Sequence, residues 1–298
     1  MTSDKRVVVT GANKGIGLAT VRAILQGGDD RFVFLGSRSA TRGKAARQQL
    51  LDENSAWEDR VEVLLIDVSD DQSVTAAAQS VAERFDGEET PLYGVVNNAG
   101  IGLGNADMET VLDVNTVGPH RVCEAFLPLL DPDEGRIVNI SSASGPNFVA
   151  KCSEERQQLL TNPEVTWEEI EALMEECLEI DRSSGAFLPA GLGDGSPYGL
   201  SKACLNAYTI ALAREHPNLT INACTPGFIE TDLTRPFAER QGKEPEEMGM
   251  KPPMKGTIAP LFLLFGEPGG SGWYFGSDAE RSPLDRYRSP GDPPYRGD

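Results

Sequence analysis

The feature that most constrains this chain is an alternation of short apolar runs with amphipathic helical stretches. Val7–Val9, Phe32–Leu35, Val61–Ile66, Gly94–Val96 and Ile137–Ile140 are apolar runs, mostly β-branched and broken only by Glu62 and Asn139. Strands buried on both faces read this way, whereas half-exposed strands alternate with polar residues. Thr220–Cys224 and Trp273–Phe275 predict a sixth strand and a short seventh. Ser69–Gln72 and Thr166–Glu169 have the form of capping boxes and predict two helix starts. Strands separated by helices join in parallel through crossovers, so the pattern predicts an α/β fold with a doubly wound parallel sheet of about seven strands.

Two segments break the rhythm. Residues 147–196 contain no predicted strand, and after Thr166 place Ile170, Leu173, Met174, Cys177 and Leu178 at amphipathic spacing. This predicts an inserted helix with one apolar face. The stretch 277–298 is rich in Pro, Arg, Asp and Gly, a composition that predicts disorder. The expected organisation is one domain over 1–276, with a helical insertion at 147–196 and a disordered tail at 277–298.

The first strand runs into Thr10-Gly11-Ala12-Asn13-Lys14-Gly15-Ile16-Gly17, directly before a helix. Glycines there let the backbone turn tightly and approach a pyrophosphate, whose charge faces the helix N-terminus. In this strand–loop–helix setting the loop predicts a Rossmann-type dinucleotide site. The second strand then ends in Gly36-Ser37-Arg38, without the carboxylate that would hold a ribose 2′-hydroxyl. Arg38, Arg42 and Lys14 instead offer cations to a 2′-phosphate, which points to NADP(H).

Tyr198 and Lys202 stand at i and i+4, neighbours on one helical face. An ammonium beside a phenol, together with an oxidised nicotinamide, would stabilise phenolate and favour proton exchange. Asn97-Asn98-Ala99-Gly100, Ser141-Ser142 and Pro226-Gly227 each follow a predicted strand, at the carboxyl ends where open α/β sheets bind ligands.

With these motifs in this order, the chain resembles the short-chain dehydrogenase/reductase family over roughly residues 5–275. The matching positions are the Thr10–Gly17 loop, Asp67-Val68, Asn97 to Gly100, Asn115, Ser142, Tyr198 with Lys202, and Pro226-Gly227 with Thr231. The resemblance implies that Tyr198 is the general acid in reduction and that Ser142, rather than Ser141, bonds the substrate oxygen. It implies that Lys202 holds the nicotinamide ribose, that Asn115 anchors a relay water, and that Asp67 and Val68 meet the adenine. Asn97, Asn98, Ala99 and Gly100 would line the cofactor cleft. Pro119 adds a point of its own: lacking an N–H, it cannot bond the Asn115 carbonyl at i−4, and so leaves that oxygen free for the water.

Ser142 and Tyr198 lie 56 positions apart. The insertion between them is similar to that of the monomeric carbonyl reductases and the plant salutaridine/menthone reductase type, which implies a monomer. The insertion and the segment Phe228–Lys255 are expected to wall the substrate site, with Phe148, Phe187, Leu188, Phe228, Ile229 and Phe237 as candidate apolar contacts for a ketone, aldehyde or quinone. The alternative reading is a non-catalytic NADP(H)-binding sensor or interaction protein that retains the fold.

Charge and composition exclude other classes. A net charge of −19 gives no basic footprint for nucleic acid or anionic membrane, and eleven acidic against three basic residues in 151–195 concentrate it locally. His120 and His216 are the only histidines, and the five cysteines show no ligand spacing, so neither a serine hydrolase nor a metal centre is expected. Met1 to Arg6 lead into the first strand without a signal peptide, and the apolar run Ile258–Phe265 is too short to span a bilayer. Free thiols and a cytoplasmic location are the expectation.

Overall fold

The computed structural model describes residues 5–102, 106–183 and 185–297, so the expectation for Met1–Asp4 lies outside it. The first half alternates as expected: β1 (Lys5–Val9), α1 (Gly15–Gln26), β2 (Arg31–Ser37), α2 (Ala40–Glu53), β3 (Val61–Leu65), α3 (Asp71–Arg84) and β4 (Gly94–Asn97). Next, α4 (Met108–Leu112) passes through a π-helical turn, Asp113–Val117, into α5 (Gly118–Phe126), and β5 (Arg136–Ile140) follows. The insertion forms α6 (Ser144–Val149), α7 (Glu154–Thr161) and α8 (Trp167–Ser183). The chain then builds α9 (Pro197–Glu215), β6 (Thr220–Cys224), α10 (Arg235–Gln241), α11 (Ile258–Phe265), β7 (Tyr274–Phe275) and β8 (Arg281–Ser282). No described helix is long and apolar enough to cross a membrane.

The strands lie in the order β3-β2-β1-β4-β5-β6-β7-β8, all parallel except the last. Because β1 pairs with both β2 and β4, the order reverses beside it and opens a crevice at the carboxyl ends of β1 and β4. Successive residues of each strand enter opposite cores. Val8, Val95 and Ile137 pack under α3, α5 and α9, while Val7, Val9, Val96 and Val138 pack under α1, α2 and α11. This two-sided burial is why the inner strands β1 and β4 read as apolar runs, whereas the edge strand β3 admits Glu62.

The insertion closes on the first of these cores. Thr166 and Glu169 form the expected reciprocal box, Thr166 N–H to Glu169 Oε2 at 3.0 Å and Glu169 N–H to Thr166 Oγ1 at 3.3 Å. Ile170, Leu173, Met174 and Cys177 are buried with the α9 residues Leu200, Cys204 and Tyr208. At α3 the expected box shifts by one residue. Asp70 is the cap and accepts from Gln72 and Ser73 N–H, while the Ser69 hydroxyl donates to Asp67.

The tail differs from its expected disorder and adds an eighth strand. β8 pairs antiparallel with β7, and Arg288 reaches back to grip Asp278 with two bonds of 3.0 and 2.8 Å. A local composition poor in apolar residues gave no hint of this, because the partners of the tail lie elsewhere in the fold. The Asp278 carboxyl sits below its ordinary range: burial works against ionisation, but bonds from Arg288 and Gly291 N–H outweigh it.

Candidate active site

Four chain segments meet at the crevice. The loop after β1 turns through Gly11 at φ +61°, where a side chain would stand 2.8 Å from Ala99 Cα. Only glycine lets the loop lie this close to the end of β4. Thr10, fully buried, ties the two together, its hydroxyl accepting from the Asn98 and Ala99 N–H groups at 3.0 Å each. Asn98 Nδ2 returns bonds to the carbonyls of Thr10 and Gly11. Gly15, Ile16 and Gly17 open α1, whose capping residue Lys14 makes no side-chain cap bond. The first-turn N–H groups of α1, beside half-buried Asn13, therefore remain available to an anion.

The motif after β4 needs one correction. β4 runs through Asn97, so the pleat turns that side chain inward, where it donates to Asn139 Oδ1 at 2.9 Å and to Cys123 Sγ at 3.3 Å. Asn98, the next residue of the motif, lines the crevice together with Gly100 and Ile101. The signal was available, since strand parity separates Val96 and Asn98 from Val95 and Asn97.

The reactive side chains converge from two directions. α6 and α9 cross so tightly that a Cβ on Gly199 would meet Phe148 Cβ at 3.0 Å, and one on Gly145 would meet the Lys202 carbonyl at 3.0 Å. This approach sets the loop after β5 against the first turn of α9. Ser142 there shares a hydrogen bond with the Tyr198 phenol, whereas Ser141 is buried and donates to the Lys202 carbonyl at 3.3 Å. Lys202 Nζ lies 5.8 Å from the Tyr198 ring centre and donates to the Ile140 carbonyl at 2.9 Å. Burial pushes the Lys202 ammonium down to about 8. Burial also raises the Tyr198 phenol, an effect the Ser142 bond partly offsets. Without a nicotinamide in the cleft, burial therefore favours the protonated phenol.

Asn115 sits fully buried within the π turn. Its amide bonds both backbone groups of Ile101, at 2.9 and 2.8 Å, and reaches Ser201 Oγ at 3.1 Å. The side chain therefore pins the segment after β4 to α9, a positioning contact that Ser201 completes and that sequence reasoning missed. The π turn widens the ladder just ahead of Pro119: Gly118 N–H reaches back five residues, to Asp113 O. Arg121 holds that turn from α5, donating to Asp113 at 2.7 Å and to the Val68 carbonyl at 3.1 Å.

The resulting cleft, about 230 Å³, is lined by Ser142, Tyr198 and Lys202 on one side and by Pro226, Gly227 and Thr231 on the other. Ile101, Ile140, Phe228, Ile229, Leu233 and Phe237 supply apolar walls. Among the expected substrate contacts, Phe228, Ile229 and Phe237 are in place. Phe148 and Phe187 are not cleft residues: both are buried in the core beneath the insertion, packed on Gly199 and Gly195, and Leu188 points to solvent. Aromatic residues in a helical insertion served its own packing first.

Arg38, just after β2, and Arg42, in the first turn of α2, are exposed, with no ionic partner among the described residues. Lys14 differs. Its ammonium is paired with Asp232 at 2.6 Å, bridging the glycine loop to the segment after β6. Asp67 is half-buried at the end of β3, its carboxylate accepting from Ser69, and Val68 is buried against Gly118. The glycine cradle, the uncapped helix and the free arginines together fit a dinucleotide carrying a 2′-phosphate.

Comparison with known proteins agrees with this geometry. The profile of the short chain dehydrogenase family matches residues 5–153. Human carbonyl reductase (NADPH) 1 is 34% identical over 280 residues, covering 89% of this chain and 92% of that protein. The chain belongs to the short-chain dehydrogenase/reductase family. Among solved structures, menthone neomenthol reductase from Mentha piperita superposes with a TM-score of 0.74 at 28% identity, covering 93% of this chain and 99% of that one. Salutaridine reductase from Papaver somniferum gives the same TM-score at 26% identity, over 91% and 99%. Family membership makes the chain an oxidoreductase of this class.

Proposed function

We propose that this protein reduces a small, largely apolar carbonyl compound (a ketone, aldehyde or quinone) to the alcohol, using NADPH. The observation that carries the reading is the convergence of a protonated Tyr198, Ser142 and Lys202 on one apolar-walled cleft beside the glycine cradle. NADPH, when bound, supplies the hydride. Gly11, Asn13, Gly15, Ile16 and Gly17 would seat its pyrophosphate, Arg38 and Arg42 its 2′-phosphate, and Asp67 and Val68 its adenine side. Ala99, Gly100, Pro226, Gly227 and Thr231 would border the nicotinamide end. Lys14 reaches the phosphate only by leaving Asp232, an exposed pair that costs about 1 kcal/mol or less to break.

Each protein group then has a task. The Tyr198 hydroxyl gives its proton to the carbonyl oxygen as negative charge builds there. The Ser142 hydroxyl bonds the same oxygen. Lys202 supports the ribose and, through its ammonium, the phenolate left on Tyr198. The Asn115 carbonyl, which Pro119 cannot bond, is the seat for a water that returns the proton to Tyr198 by way of Lys202. On this reading the protein is a monomer, because α8 covers α9 and stacks Trp167 on His120 of α5.

The test is the loss of reduced-nicotinamide absorbance with a panel of quinones, aromatic aldehydes and ketones. Turnover with NADPH should exceed that with NADH, and Tyr198→Phe should lower kcat by roughly 10²–10⁴-fold while NADPH still binds. Turnover that survives in Tyr198→Phe would defeat the assignment.

A further inference from the structure

A second cavity, of about 510 Å³, lies at the other end of the sheet, between the C-terminal half of α9, the start of β7 and the tail. We propose that it is a binding site for an aromatic carboxylate, formed by Arg214, Arg281 and Trp273 and separate from the catalytic cleft.

The chemistry of the walls carries this assignment. The guanidinium of Arg281 lies 3.9 Å from the Trp273 ring centre, with Tyr295 at 5.4 Å. Its one hydrogen bond is to the carbonyl of Arg296, and it has no acidic partner among the described residues. A guanidinium held against an indole keeps edge N–H groups for a second, bidentate partner, and a carboxylate matches that fork. Arg214 enters from α9, spending one N–H on the Pro163 carbonyl and forming a long ion pair with Glu215 at 4.0 Å. The one acidic lining residue, Asp285, is neutralised by both of its bonds to Arg286. Arg281 thus gives the cavity a cation without an acidic partner among the described residues, in a chain of net charge −19. Ile210 and Leu284 complete an apolar wall beside the ring, which suits a flat hydrocarbon body rather than a bare anion.

The site cannot share a ligand with the catalytic cleft. Tyr198 and Arg214 stand at opposite ends of α9, roughly 24 Å apart at 1.5 Å per residue. The tail builds one side of the cavity, and Tyr295 N–H pairs with the Arg281 carbonyl to hold it there.

Calorimetric titration with naphthalene-2-carboxylate tests the proposal, with naphthalene-2-carboxamide as the neutral match. The acid should bind wild type and Tyr198→Phe equally and saturably, and the amide about tenfold or more weaker. Arg281→Gln should weaken the acid by a similar factor. Leu284→Trp, which fills the cavity but keeps both arginines, should abolish binding in a protein whose melting temperature shows it folded. Equal affinity for acid and amide, unchanged binding in both variants, competition with the carbonyl substrate, or no saturable binding at millimolar acid would each overturn it. None of these outcomes depends on whether the catalytic cleft reduces a carbonyl.

Discussion

At the scale of single residues, the site is a set of polar groups whose protonation is set by burial. Lys202 is 4% exposed, and its folded-state value of about 8 lies below its ordinary 10.5. Between these values the unfolded chain holds a proton that the folded chain has released, so unfolding takes one up and this group's contribution to stability grows as pH rises. Below about 8 the buried ammonium is charged in both states and that contribution is absent. Lys202→Met should therefore change the pH slope of cofactor-free stability by about 3 kcal/mol across this window, read by urea unfolding at several pH values. Cys123 and Cys152, raised to about 11, and Cys177, raised to about 12, act in the opposite sense above 9.0. They are common to both chains, so the difference isolates Lys202. An identical slope in the variant would show that Lys202 titrates normally.

At the scale of elements, the active geometry depends on how closely helices approach. The contact of Gly199 with Phe148 brings the Ser142 loop within reach of Tyr198. Gly199→Ala forces α6 outward and should cost about 1–3 kcal/mol, as overpacking does. It should also lower kcat more than it weakens NADPH binding, because the glycine loop is untouched. Thermal melts with parallel cofactor titrations check both halves, and a variant with wild-type kcat would refute the role of the crossing. The inserted α8 was legible because its capping box and its apolar period agree, and both are local. The π turn at Asp113–Val117 was only half legible: Pro119 announced a broken ladder, but not the five-residue reach of Gly118.

At the scale of the whole molecule, the tail closes the fold. Arg288 is 9% exposed and also donates to the carbonyls of Asp292 and Pro293. Its removal strands the Asp278 carboxylate, so Arg288→Ala should lower stability by about 2–4 kcal/mol and make the tail the first segment cut by a protease. Since Ser277 packs on Gly227 at the cleft, NADPH binding should weaken as well. A variant that melts and resists protease like wild type would show that the tail is dispensable.

The amino-acid sequence by itself determined the parallel sheet, the glycine loop, the inserted helix and the Tyr198–Lys202 spacing, whereas Ser142 and Asn115 came only with the family resemblance. Each rests on a period or motif written within a few consecutive residues, which backbone geometry translates directly. Only the tertiary structure decided that Phe148 and Phe187 belong to the core. It alone paired Lys14 with Asp232, 218 residues away, and ordered a tail of low apolar content. Those outcomes depend on which surfaces distant segments present to one another, and that is settled only when the whole chain competes for the same buried space.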